Sequence, residues 1–367
     1  MKFFYFFFLL KLKANLICKN NFLYFLNEKN KNNILIIEKN IFHGECLPGF
    51  IKYFIDLGYN NIDILINNEL FKLNPLNIPS INNKINIFVY PENIIEKFLN
   101  LGICNFYKIC FFNTFGYENK NKLKSYLNKN FNFKKIIVLH DLNLINKNEI
   151  NNYNIIVLKN FHKGNSFYEI NPHYFGEFKL HNKSKITNFI IVGNIENFRK
   201  NYNILFNGFE ELLKNNISNF HITIIGKLFK NSLNNIKIDK NLSNFINFTG
   251  RIPYDEMFQK ISQADFFLPL LDSKQHFKYL TVKTSGSFQL VYGFNIPMII
   301  ENIFAEKYGF DNKNSLIYYS EKNFVDKLKY SINMKNEEYQ KLKYNLKIKS
   351  KKIEKNSLEN LKILLNK

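Results

Sequence analysis

Hydrophobic and polar positions along the chain change period repeatedly, and the changes outline alternating strands and helices. Ile34-Leu35-Ile36-Ile37 is a continuous apolar run, the pattern of a strand buried on both faces. A polar turn at His43-Gly44-Glu45 follows, and residues 50–57 then repeat at helical spacing up to Gly58. Residues 62–66 return to a strand pattern. This β-loop-α-β unit is the seed of a parallel, doubly wound sheet. Residues 85–90, 109–112, 136–140 and 155–158 supply further short apolar runs, each set off by polar or helical stretches.

The second half repeats the grammar. Residues 189–192 predict a strand that stops at Gly193, with Arg199-Lys200 in the loop beyond it. Residues 202–213 carry Leu205, Phe206, Phe209, Leu212 and Leu213 on one helical face. Residues 221–225 form the next strand before Gly226-Lys227, and 245–248 another before Thr249-Gly250-Arg251. A helix runs from Asp255 to near Gln263, and a strand from 266 to 271. The last 32 positions, 336–367, are rich in Lys and Glu with spaced Leu and Ile, which predicts one or two terminal helices. Pro172 and the polar, basic run 171–185 mark a change of domain. The expected organisation is an extension at 1–31, a first domain at 32–176, a second at 177–335, and the terminal helices.

One stretch organises the rest: residues 279–300, read as loop, helix and strand. Thr284-Ser285-Gly286-Ser287 places small and hydroxyl residues where the chain enters a helix. Such a helix start leaves N–H groups unpaired and partly positive, so a phosphate can approach them. Lys283 adds a full charge. The alternative is a Ser/Thr cap with no ligand. In a doubly wound sheet, ligands bind beyond the carboxyl ends of the strands. Gly193 to Lys200, Gly226-Lys227, Gly250-Arg251 and Lys283 to Ser287 all fall on that one edge, which together suits a diphosphate-bearing ligand.

Charge sharpens this picture. The 367-residue chain has a formal net charge of +21 and is 46% hydrophobic. Of its 51 basic residues, all but Arg199 and Arg251 are lysine. Lysine spread along the chain describes a solvated surface rather than a nucleic-acid stripe, and no nucleic-acid module accompanies it. A cytoplasmic protein touching the inner face of a membrane fits better. The two arginines stand where a planar, bidentate phosphate contact would be useful. Cys18, Cys46, Cys104 and Cys110 show no metal or disulfide spacing and read as reduced core residues. The apolar run 3–10 is far shorter than the about 20 residues a spanning helix needs, and reads as an interfacial anchor or disordered extension, with a signal peptide the lesser option because no small-residue cleavage site follows it.

At this point the second half resembles the donor-binding domain of GT-B glycosyltransferases, in particular the large retaining family called glycosyltransferase group one. Phe189-Ile190-Ile191-Val192-Gly193 with Arg199-Lys200-Asn201-Tyr202 is similar to the family's strand, glycine and basic loop. Phe248-Thr249-Gly250-Arg251-Ile252-Pro253 resembles its turn beside the nucleobase, and residues 257–271 its helix-and-strand segment ending in Pro-containing sequence. The 279–300 stretch occupies the place of its phosphate loop and helix. His43-Gly44-Glu45 sits where the family has a loop facing donor and acceptor, and His140-Asp141 resembles its His-Asp motif near the transferred sugar. The family's two glutamates around the donor helix are absent: their positions fall near Val282 and Leu290, with Gln289 the neighbouring polar residue.

The resemblance implies an α/β chain of GT-B type, two Rossmann-like domains facing a cleft. It implies sugar transfer from a UDP- or GDP-linked donor to a glycan, lipid-linked or protein acceptor, with retention and without a metal or other cofactor; no Asp-x-Asp motif occurs in the chain. Gly193, Arg199, Lys200, Lys227, Arg251, Ile252, Lys283, Thr284, Ser285, Gly286, Ser287 and Gln289 would bind the donor. Glu45, His140 and Asp141 would orient sugar hydroxyls or handle the acceptor proton, beside His43 and Gly44. Two other readings stand: a non-catalytic GT-B-like partner subunit, and a nucleotide-sugar epimerase.

Overall fold

A computed structural model describes residues 34–115, 133–145, 150, 153–161, 167–178, 181–196, 198–228 and 238–366. The expected extension at 1–31, with its apolar run and Cys18, lies outside the described residues.

The first half is a seven-stranded sheet in the order β3-β2-β1-β4-β5-β6-β7. Its strands are β1 (Ile34–Glu38), β2 (Ile62–Asn67), β3 (Ile85–Tyr90), β4 (Ile109–Phe112), β5 (Lys134–Leu139), β6 (Asn154–Val157) and β7 (Tyr168–Glu169). Every pairing is parallel. β1 and β2 are buried at each position, as strands covered on both faces must be. Helix α1 (Leu47–Asp56) begins with a proline in its first turn, where no N–H is lost, and ends at Gly58 with φ 93°. Its Phe50 and Phe54 pack on Phe111 of β4. Helix α2 (Glu92–Asn100) covers the far side.

The second half pairs β8 (Thr187–Val192), β9 (Phe220–Ile225), β10 (Ile246–Gly250) and β11 (Phe266–Phe267) in the order β10-β9-β8-β11. A parallel bridge from Phe267 to Met298 joins this sheet to the pair β12 (Ile299–Glu301) and β13 (Leu316–Tyr318). Both halves therefore share one strand order, counted 3-2-1-4-5-6 from their own first strands, with the reversal point beside β1 and β8. The longer helices here are α3 (Tyr202–Lys214), α4 (Tyr254–Ser262), α5 (Gly286–Phe294), α6 (Asn302–Tyr308) and α7 (Glu321–Asn333). The side chain of Asn201 caps α3 by accepting from Ile204 N, and Leu205, Phe206, Phe209 and Leu212 are buried as the period predicts.

Two elements differ from the sequence reading, and a third takes one of its two forms. β11 is only two residues long, because Pro269 has no N–H and Leu270 turns into the left-handed region at φ 52°. β10 extends through Gly250 with a bulge between Phe248 and Gly250. The terminal segment is a single helix, α8 (Asn336–Asn366), that crosses from one half to the other. Tyr339 and Leu342 pack in the core of the second half, Leu361 and Leu364 in that of the first. Between them, Ser350 Oγ donates to Tyr292 O and Ser357 Oγ accepts from Asn171 N, each at 3.0 Å. Among the described residues no helix is long and apolar enough to cross a membrane.

Candidate active site

The carboxyl edges of the two sheets face each other, and most of the residues singled out above stand there. On the second half, the loops after β8 and β9 pass so closely that a Cβ on Gly226 would lie 1.9 Å from Gly193 O. Lys200 folds back over Gly193, and its Nζ donates to Pro269 O at 3.0 Å. Only 5% exposed, its ammonium is pushed down to about 8 by burial. Arg199 is the outward member of the pair; its side chain is 48% exposed and ion-paired to Glu196. Lys227 is exposed, and its carbonyl accepts from Ile195 N at 3.0 Å.

Helix α5 opens onto the same edge. Ser285 is its N-cap, with Oγ accepting from Ser287 N at 3.3 Å. A Cβ built on Gly286 would sit 3.6 Å from Glu45 Oε1 and 3.7 Å from Gln289 Oε1, so this glycine leaves a small gap bordered by both side chains. Gln289 is 1% exposed, yet neither its Oε1 nor its Nε2 has a hydrogen-bond partner among the described residues. A buried amide left unpaired on both atoms costs about 1–3 kcal/mol per group, so its position calls for an explanation. Thr284 stands beside the Tyr308 hydroxyl, which donates to Tyr279 O at 2.7 Å.

The first half contributes the opposite wall. His43 is left-handed, at φ 61°, and its ring stacks on that of His140 with centroids 3.6 Å apart and planes 7° from parallel. His140 is buried; burial and the nearby His43 hold its imidazole well below the usual histidine range, against the bond from its Nε2 to Asn113 O at 2.9 Å. Glu45 reaches His43 Nδ1 at 3.6 Å and accepts from the Tyr254 hydroxyl at 3.3 Å. Burial raises its pKa, but the His43 bond and charge and the Tyr254 bond outweigh this and hold the carboxyl below its ordinary value. Asp141 meets Lys283 across the cleft at 3.1 Å, where Leu142 N also donates to Val282 O at 2.9 Å.

A second seam between the halves runs along residues 251–255. Arg251 Nη2 donates to Ile41 O at 3.1 Å, and Tyr254 N to Leu73 O at 2.7 Å. Asp255 accepts from Asn77 at 2.9 Å and from Asn74 at 3.3 Å. Arg251 thus faces a first-half carbonyl, while Ile252 packs against the core of its own half.

Sequence reasoning missed Glu38, Asn113, Tyr254 and His276. The first two form a buried acceptor and donor under the His43–His140 stack. His276 lies beside Lys200 and accepts from Asp272 N at 2.9 Å, with Nε2 buried and unpartnered among the described residues. The available signal was a carboxylate ending an otherwise apolar strand, at Glu38, and an Asn-Thr pair ending another, at Asn113-Thr114. Among the described residues, no group of three or more His, Cys, Asp or Glu is arranged to hold a metal ion.

No known family profile and no curated protein matches the sequence. Solved structures do match. TarM of S. aureus, solved as a point mutant in complex with fondaparinux, α-GlcNAc-glycerol and UDP, superposes with a TM-score of 0.59 at 11% identity over 92% of this chain and 100% of that one. Anabaena HepE with UDP and glucose gives 0.58 at 11% identity, over 91% of this chain and 100% of that one. The pneumococcal O-GlcNAc transferase GtfA gives 0.51 at 14% identity over 76% of this chain, which spans 61% of that one. The chain has the GT-B fold. The Arg199–Lys200 loop, the start of α5 and the 251–255 seam belong to the second half, and the His43–His140 stack, Glu45 and Asp141 to the first.

Proposed function

We propose that the protein is a glycosyltransferase that moves a sugar from a nucleoside-diphosphate sugar to a glycan, lipid-linked or protein acceptor, with retention and without a metal. One observation carries the reading. The start of α5 bears a buried amide, Gln289, with no partner among the described residues, and Lys200, Arg199 and Lys283 stand on the same sheet edge. That arrangement suits a diphosphate with an attached ribose. UDP is the favoured nucleotide, because several structural neighbours were solved with it.

In this reading the leaving diphosphate gains charge as the glycosidic bond breaks. Arg199, Lys200 and the N–H groups of Gly286 and Ser287 offset it, a role that elsewhere falls to a cation. Thr284, Ser285 and Lys283 complete the phosphate contacts, Gly193 and Lys227 border them, and Arg251 and Ile252 flank the base. Gln289 takes the ribose hydroxyls in place of the missing glutamate. Neutral His140 accepts a hydrogen bond from a sugar hydroxyl, Asp141 orients a second, and Glu45, ionised at neutral pH, takes the acceptor proton. His43 and Gly44 shape the acceptor side. The net charge of +21 supports work at an anionic cytoplasmic membrane face.

The missing glutamates near Val282 and Leu290 favour the second reading, a non-catalytic partner subunit of the same fold. Arg199→Ala separates the two. A transferase loses UDP affinity in that variant, measured by titration calorimetry; a scaffold has no nucleotide affinity to lose.

A further inference from the structure

Glu38 is a carboxylate at the end of β1 with no solvent exposure. Such a group is expensive to bury unless donors surround it. Here they do: Asn40 N donates to Oε1 at 2.9 Å, and Asn113 Nδ2 and Thr114 Oγ1 donate to Oε2 at 2.7 and 2.6 Å. The Asn113 amide then reaches a second acceptor, His43 O, at 3.1 Å. Its Oδ1 is left buried and without a partner among the described residues. Turning the amide over would aim that oxygen at the two oxygens Nδ2 now serves, so its orientation is dictated and its Oδ1 stays unpaired.

Asn113 also holds the other imidazole. Its backbone oxygen accepts from His140 Nε2 at 2.9 Å, which fixes the Nε2–H tautomer and leaves Nδ1 as the acceptor nitrogen. One residue therefore grips the carbonyl of left-handed His43 with its side chain and the ring of His140 with its main chain. The two rings stack at 3.6 Å as a result. A strand end needing only burial would carry an apolar residue at 38, as the rest of β1 does at Ile34 to Ile37.

We infer that Glu38 and Asn113 are positioning residues, a buried frame that sets the His43–His140 stack in the geometry needed for sugar transfer. The inference rests on the proposed transferase reading for its functional consequence, while the frame itself is a statement about two imidazoles.

The test uses the full chain with three variants: Glu38→Gln, Asn113→Asp and the double variant. UDP-glucose is the probe, its turnover to UDP and glucose with water as acceptor is the rate, and imidazole 15N–1H spectra report the rings. Asn113→Asp sets two carboxylates together and removes the N–H from His43 O. Glu38→Gln leaves one oxygen for donors on both sides: kept on Asn113 Nδ2 and Thr114 Oγ1, it sets the new NH2 against the Asn40 N–H, and turned over it sets that NH2 against Asn113. The double variant reverses the hydrogen bond between the two positions, so it restores thermal stability, but it still lacks a donor for His43 O. The expected result is a turnover loss of about tenfold to 100-fold in both single variants and in the double. UDP affinity stays within about twofold of wild type, because a frame that acts on the first-half wall is not part of donor binding. The His43 ring signals move in both Asn113→Asp and the double.

Recovery of turnover together with stability in the double variant would make the frame merely structural and overturn the inference. So would unchanged turnover in the single variants, or unmoved His43 and His140 signals. If wild type fails to bind UDP at all, the transferase reading fails instead, and the imidazole spectra still decide whether the frame sets the stack.

Discussion

Asp141 and Lys283 pair across the cleft at 3.1 Å, and their backbones form an antiparallel bridge at the same point. This joins the His-Asp segment of the first half to the loop that opens α5. Lys283→Met leaves Asp141 facing the second half without its partner. Part-exposed pairs contribute modestly, so the expected loss of stability is about 1 kcal/mol by urea unfolding. Asp141→Asn combined with Lys283→Met recovers part of it, and full additivity would show that the two side chains do not interact.

Gln289 separates function from stability. Replacing it with Leu removes two buried atoms that have no partner among the described residues, which raises the stability of the ligand-free protein by about 1 kcal/mol. The same variant binds UDP about tenfold or more weakly, measured by calorimetry. A Leu variant less stable than wild type would indicate that the amide has a structural partner.

Gly286→Ala tests the gap at the mouth of α5. The added methyl meets Glu45 Oε1 at 3.6 Å and Gln289 Oε1 at 3.7 Å, both ordinary contacts, so the variant folds. Its thermal midpoint stays close to wild type while UDP affinity falls about tenfold, since only a glycine lets the backbone reach a phosphate closely. Equal affinity would remove Gly286 from the donor site.

Acid sensitivity has two opposed sources. His173, in the linker between the halves, is pushed down to about 4 by burial, against its hydrogen bonds to the backbone of Asn171 and Ser350, where the Asn171 carbonyl accepts from Nδ1 at 2.9 Å. The unfolded chain then binds a proton the native one refuses between pH 6.5 and 4, so this stability is lost as pH falls through that window, by about 3 kcal/mol in full. Glu38 has the other sign. Burial, opposed by its Thr114, Asn113 and Asn40 bonds, raises it to about 7, so the native state holds a proton that the unfolded state has released. Stability from that source fades as pH rises from 4.5 to 7. Relative to wild type, His173→Gln loses less stability on acidification and Glu38→Gln loses more. Thermal midpoints from about pH 4 to about pH 7.5 check both signs.

How far the sequence could be read depended on the range of the interaction. Ile34–Ile37 and the residue 62–66 run announce strands because burial on both faces leaves a local trace, and Ser285 announces a helix start because capping is local. The shortening of β11 at Leu270 was hidden, since its left-handed backbone is held by a contact from Asn201 N to Leu270 O at 2.8 Å. The role of α8 as a strap was equally hidden; its period marks a helix but not two separate cores. At the site, His43 and His140 could be named singly from a resemblance, but their stack exists only because β1, β4 and β5 end side by side. Glu38, Asn113 and the unpaired state of Gln289 are properties of that convergence, not of any short segment.

The most direct measurement is the thermal midpoint of the full chain against UDP, GDP, ADP and CMP. A ligand that binds only the folded state stabilises it, by about 2.7 kcal/mol at a concentration about 100-fold above its dissociation constant. The donor-site account predicts a selective upward shift with UDP that Arg199→Ala and Gln289→Leu diminish. An unchanged midpoint with all four nucleotides at millimolar concentration would contradict it.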